Sequence, residues 1–141
     1  MKKGWMLCCL LLSSCSFPSE ESIPRLTPHD YNELQERQLQ ASTLFFSGTY
    51  QVYFYSLECS VCLSMKNEVV EFGLHHEDFF LYLIDDKMKY RYDTTCVGAT
   101  SFEEIFLPGT PSLFQIKQGR VEEVLIGKRE ILSWMENREK K

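Results

Sequence analysis

The chain has 141 residues, 44% hydrophobic and 13% aromatic, with a formal charge of −5. That is enough apolar material for one small domain with a real core, and too much for a disordered chain. No basic stripe or run lies outside the two termini, so nothing supports an electrostatic surface for nucleic acid.

In chain order, Lys2 and Lys3 make a positive start, and Gly4-Trp5-Met6-Leu7-Cys8-Cys9-Leu10-Leu11-Leu12 a short apolar core. Nine residues rise only about 14 Å as a helix, about half a hydrocarbon layer, so this segment reads as an address and not a permanent span. Leu12-Ser13-Ser14-Cys15 then resembles the lipobox of bacterial lipoproteins. The resemblance implies a lipoprotein signal peptide over 1–14, cleavage before Cys15, and lipid on the Cys15 sulfur. It also implies a lipid-anchored, extracytoplasmic place in a bacterial cell envelope. The alternative is an ordinary secretory signal with a chance cysteine. With lipidation, Cys8 and Cys9 are lost and Cys15 is blocked, leaving Cys59, Cys62 and Cys96 as thiol candidates among the six cysteines. An extracytoplasmic place makes disulfide chemistry plausible.

Residues 15–26 are rich in Ser, Pro and Glu and read as a flexible tether. Thr27-Pro28-His29-Asp30 signals a helix start, with Thr as N-cap, Pro in first position and Asp in the first turn. Its modest apolar stripe, Tyr31 and Leu34, predicts a helix to about Gln40. Ser47-Gly48-Thr49 turns into a buried strand, Tyr50-Gln51-Val52-Tyr53-Phe54-Tyr55-Ser56, and a helix over residues 61–70 follows. A second strand, residues 79–84, should run parallel to the first, because a helix joins them. Residues 86–107 read as a polar insert carrying Cys96, with a mobile Tyr/Lys/Arg cluster at 87–92 and a short helix at 101–106. After Pro108-Gly109-Thr110-Pro111 come a strand (112–117), a tight Gln118-Gly119 turn and a return strand (120–126). Gly127 breaks that strand. Residues 128–139 form a last amphipathic helix with Ile131, Leu132, Trp134 and Met135 on or near its buried side.

Cys59-Ser60-Val61-Cys62 carries the chemistry. At a strand-to-helix junction the two sulfurs share one face of the first helical turn, since i and i+3 are neighbours there. They can therefore bond without backbone movement. Orphan N–H groups beside the first sulfur favour its thiolate. Cys59 is the expected nucleophile of thiol–disulfide exchange and Cys62 the resolving thiol. The same motif is half of a zinc site, whose other ligands would have to come from Cys96, His75 and His76. Cys96 reads as an insert or surface cysteine, or else as a third redox thiol. His75 and His76 read as exposed at a helix end.

The order helix, strand, helix, strand, connector, strand, strand, helix, together with Cys59-Ser60-Val61-Cys62, Thr110-Pro111 and Gly127, resembles the thioredoxin fold. The expected class is α/β: a central mixed sheet of about four strands flanked by helices, over residues 27–141. The resemblance implies a cis Pro111, with Thr110 and Pro111 beside the Cys59 sulfur as substrate-binding residues. A trans strand-entry turn is the alternative. Leu26-Thr27-Pro28-His29-Asp30-Tyr31, Val52-Tyr53-Phe54-Tyr55 and Gly109-Thr110-Pro111 also resemble the bacteriocin transport accessory family.

The pattern departs from thioredoxins in three places. Glu58 stands where they have Trp, Tyr53 where they have a buried Asp, and Ser60-Val61 where they have Gly-Pro. Two functions follow. One is a lipid-anchored oxidoreductase acting on cysteine-containing exported proteins, with a membrane redox partner and no cofactor. The other is a redox-silent accessory module that binds an export or bacteriocin-maturation partner.

Overall fold

The computed structural model describes residues 23–92 and 96–141. The expected signal peptide, Cys15 and the tether up to residue 22 lie outside the described residues. Among the described residues no helix is long and apolar enough to cross a membrane.

Four strands make one mixed sheet: β1 (Thr49–Tyr55), β2 (Phe79–Leu83), β3 (Ser112–Lys117) and β4 (Arg120–Ile126), in the order β2-β1-β3-β4. β1 pairs parallel with β2, with Val52 opposite Phe80, and antiparallel with β3, with Val52 opposite Phe114. β1 is buried at every position but Thr49, as its near-continuous apolar run requires of a strand covered on both faces. β3 and β4 form the expected hairpin, turned by Gln118 and Gly119 at φ 50° and 72°. Positive φ at both central residues matches the right-handed strand twist.

Three helices lie on one face: α1 (Ser60–Ser64), α2 (Lys66–His75) and α3 (Gly127–Glu139). They bury Cys62, Met65, Val69, Phe72, Ile131 and Met135 against Tyr53, Tyr55, Phe79, Leu81 and Leu113 of the sheet. Leu132 and Trp134 pack at the rim of this core. A mixed four-stranded sheet flanked by helices is the architecture that the sequence predicts.

Three details differ from expectation. The first helix is a 3-10 stretch, Asn32–Arg37, with Tyr31 and Leu34 at φ −113° and −111°. The reason is side-chain spacing. Tyr31, Leu34 and Arg37 recur every third residue, and three residues per turn brings all three to one side. Tyr31 and Leu34 are buried, and Arg37 donates to the carbonyls of Gly73 and His76 at the end of α2. Second, the helix after Cys59 breaks at Met65 (φ −118°, ψ 14°), between α1 and α2. Met65 is fully buried, and Cys62, Met65, Val69 and Phe72 face the core together across the break. Third, the segment between β2 and β3 is a structural layer. It buries Met88, Cys96, Ala99, Ile105 and Leu107 against Tyr50, Val52, Phe54 and Phe114 on the second face of the sheet. Its backbone is tied to β4, with Gly98 N–H donating to Val121 O at 2.7 Å and Val121 N–H to Ala99 O at 2.9 Å. The short helix predicted there is a single 3-10 turn, Phe102–Glu104.

Candidate functional site

β1 delivers the chain through Ser56-Leu57-Glu58 to Cys59, which caps α1 with extended φ and ψ of −78° and 104°. Cys59 and Cys62 are joined by a disulfide, with their Cα atoms 5.2 Å apart. The spacing lies within the range a disulfide accepts. The Cys59 Sγ accepts from the Cys62 amide at 3.1 Å, and its carbonyl accepts from the Leu63 amide at 3.1 Å. Cys59 is half-buried and Cys62 is not exposed at all, at 0% accessible. This asymmetry makes Cys59 the sulfur that an outside thiol can reach. At the far end of α1, Lys128 Nζ donates to Ser64 Oγ at 3.0 Å and fastens α1 to α3.

Thr110–Pro111 is a cis peptide bond. It leads into β3 at Ser112, which pairs with Phe54 near the end of β1. Thr110 and Pro111 therefore enter the sheet at the end where β1 leaves for Cys59. Pro111 O accepts from the Gly127 amide at 2.9 Å, and Gly127 adopts φ +81° there, a conformation that glycine tolerates best.

Beneath the disulfide the core is phenolic. Tyr31, Tyr53 and Tyr55 share one buried cluster with Cys62. The Tyr31 and Tyr55 rings meet edge-on at 4.6 Å, and Tyr55 OH accepts from Gln38 Nε2 at 2.7 Å. The hydroxyls of Tyr31 and Tyr53 are buried beside one another, without a well-formed hydrogen bond. Burial pushes all three phenols above their ordinary range. Among the described residues no Asp or Glu is buried, so no interior carboxylate serves this site.

The remaining candidates lie elsewhere. Cys96 is buried in the core of the opposite sheet face, with its thiol donating to Phe106 O at 3.5 Å. It is neither a surface cysteine nor a neighbour of Cys62 across the sheet. Burial raises its thiol above the ordinary value. His75 is exposed at the end of α2, while His76 is half-buried and stacks on Phe72 at 3.9 Å. Their Nδ1 atoms bond the carbonyls of Glu71 and Phe72. Among the described residues no three His, Cys, Asp or Glu side chains gather as metal ligands.

Two clefts flank the site. The larger, about 880 Å³, lies between the 3-10 stretch and the end of β2 and contains neither sulfur; Gln35, Gln38, Tyr55 and Asp85 line it. The smaller, about 290 Å³, opens on Cys59 and is lined by Ile23, Pro24, Arg25, Leu57, Glu58 and Ser60. Its N-terminal wall was not expected from the sequence. The signal for it was Leu26 before the Thr27 cap and Tyr31 four positions into the turn, an apolar pair that fixes a chain's entry angle. Both side chains are buried in the same cluster.

Solved structures with this architecture include mitochondrial thioredoxin 3 from Saccharomyces cerevisiae in its oxidized form. It has 14% identity and a TM-score of 0.51, over 78% of this chain and 98% of that one. Thioredoxin f from spinach chloroplast has 14% identity and a TM-score of 0.51, over 77% and 93%. The fold is thioredoxin-like. No protein-family model matches the sequence. No curated protein sequence matches it either. Within the thioredoxin-like frame, the Cys59–Cys62 disulfide sits where β1 passes into the first helix, and that geometry fits thiol–disulfide redox chemistry.

Proposed function

We propose that this protein is a lipid-anchored, extracytoplasmic thiol–disulfide oxidoreductase whose clients are exported proteins with cysteines. The observation that carries the reading is the Cys59–Cys62 disulfide with Cys59 half-buried and Cys62 inaccessible. A client thiolate attacks Cys59 Sγ; the Cys59–Cys62 bond breaks, and its electron pair leaves on Cys62 as a thiolate. A second client thiolate then attacks the client sulfur of the mixed disulfide and expels Cys59. The client loses two electrons and the pair gains them; the reverse sequence reduces a client disulfide. In the reductive direction Cys62 gives up its thiol proton and attacks Cys59 Sγ, and the proton goes to the client thiolate that leaves. The backbone of Thr110, before the cis Pro111, is the expected guide for an extended client segment.

Insulin reduction by the wild type and by Cys59→Ser tests the reading. The wild type should reduce insulin, Cys59→Ser should not, and Cys62→Ser should hold a mixed disulfide with clients. No activity and no trapped adduct would leave the redox-silent accessory role, with an export or bacteriocin-maturation partner. The anchor rests on Leu12-Ser13-Ser14-Cys15. Metabolic labelling with palmitate should mark the wild type and not Cys15→Ser, and the wild type should fractionate with the cell envelope. A membrane protein that re-oxidises or re-reduces the pair is the expected redox partner.

A further inference from the structure

We infer that the N-terminal strap, residues 23–26, is part of the client-binding site: it walls a subsite on Cys59 in which Arg25 selects an acidic residue beside the client's cysteine. The inference rests on the exchange reading and adds a substrate preference to it.

The cleft that opens on Cys59 has two walls. Leu57, Glu58 and Ser60 come from the motif itself, and Ile23, Pro24 and Arg25 from the strap. Any segment that presents a sulfur to Cys59 through this cleft touches both. The strap is held in place before a client arrives. Leu26 is buried in the same core as Cys62, and Cys59 and Leu57 pack against that core. Immediately after it, the amide and hydroxyl of Thr27 both donate to Asp30 Oδ2, at 2.6 and 3.1 Å. The other Asp30 oxygen receives Lys66 Nζ of α2 at 2.9 Å. A turn buttressed in this way does not lose its ordering entropy on binding, which is the condition for selectivity.

The charges define the occupant. Among the described residues Arg25 is the only cation lining the cleft, and Glu58 is the only anion. Both are exposed, and among the described residues neither is in an ion pair. An acidic client residue is attracted on the strap side and repelled on the Glu58 side, so it fixes the direction in which the segment lies. Guanidinium also offers a carboxylate two parallel donors, which a lysine would not.

The test uses the full chain, pre-reduced, and two peptide disulfides that differ only in carrying Glu or Lys beside the cysteine. Cys59 attacks the peptide disulfide and releases one peptide thiolate. Cys62 then attacks Cys59 and releases the second, so peptide disulfide is lost as the protein pair is oxidised. In the wild type the Glu peptide should react about threefold faster at low salt. Arg25→Ala should abolish the preference and Arg25→Glu should invert it. The preference should shrink as salt shortens the screening length, which a purely structural role for Arg25 would not produce. An unchanged Glu-to-Lys ratio in Arg25→Glu overturns the inference and leaves the exchange reading standing. If the wild type fails to reduce uncharged hydroxyethyl disulfide, the exchange reading itself falls and the subsite with it.

Discussion

Lys66 Nζ lies 2.9 Å from Asp30 Oδ1, and the Thr27 amide reaches the other oxygen of the same carboxylate at 2.6 Å. One side chain thus closes the turn at residues 27–30 and ties it to α2. The Thr27 amide and then Lys66 hold the Asp30 carboxyl below its usual range. Asp30→Ala should cost about 1 kcal/mol at neutral pH, the usual net worth of a hydrogen bond within a protein. Because the folded value is lowered, the contribution is complete above about pH 4 and is lost as pH falls through the folded value. Urea unfolding of both proteins at pH 7 and pH 2.5 checks this. The gap should narrow in acid, and a gap of unchanged size would place the effect in packing instead.

Alkali should act on the phenolic core. Tyr31, Tyr53 and Tyr55 are 2%, 0% and 2% exposed, and burial raises all three. In the unfolded chain they ionise near pH 10, while the native state keeps its protons, so stability falls as pH rises past that point. With three such groups the slope approaches about 4 kcal/mol per pH unit. Denaturation midpoints followed from pH 8 to 11 should drop steeply above 10, and Tyr53→Phe should flatten the drop. At pH 7 the same substitution should change stability by less than about 1 kcal/mol, because the buried hydroxyl it removes has only the Tyr31 hydroxyl beside it.

Cys96 should be chemically quiet. Cys96 is 5% exposed and burial disfavours its thiolate. In the reduced native protein, iodoacetamide at pH 8 should modify Cys59 at least about tenfold faster than Cys96. Peptide mass mapping separates the two. Equal rates would mean that the layer between β2 and β3 opens readily.

Gly73 sets the distance between the first 3-10 stretch and α2. An added Cβ would sit 2.6 Å from Leu34 Cδ1 and 3.3 Å from Phe79 Cδ1. Alanine gains about 1 kcal/mol of helix propensity, but crowding a packed core costs about 1–3 kcal/mol. Both neighbours are buried and have little room to yield. Gly73→Ala should therefore lower the unfolding free energy by about 1 kcal/mol in urea titrations. A more stable variant would show that Leu34 repacks freely.

The sheet was legible because its signals are local. β1 is a continuous apolar run, the hairpin carries a two-residue turn, and the disulfide follows from the spacing of two cysteines at a strand end. What the sequence concealed has no period. Met88, Cys96, Ala99, Ile105 and Leu107 are buried from an irregular segment, and each is stabilised by the sheet and not by its neighbours in sequence. The 3-10 stretch was hidden for a related reason. Tyr31 and Leu34 suit either helix type, and only the reach of Arg37 to the end of α2 decides between them. The strap looked like linker because Ser, Pro and Glu dominate residues 15–26, and a single Leu26 carries its packing.

Neighbouring side chains of β1 leave through opposite faces: Tyr53 and Tyr55 toward the cysteine pair, Val52 and Phe54 toward the layer that holds Cys96. The strand therefore works as an insulating wall between two chambers, only one of which houses the redox pair. Saturating its positions and scoring redox phenotype at matched abundance should give an alternating record. Lesions at odd-numbered positions should register in the chemistry, and those at even-numbered positions in how much protein survives.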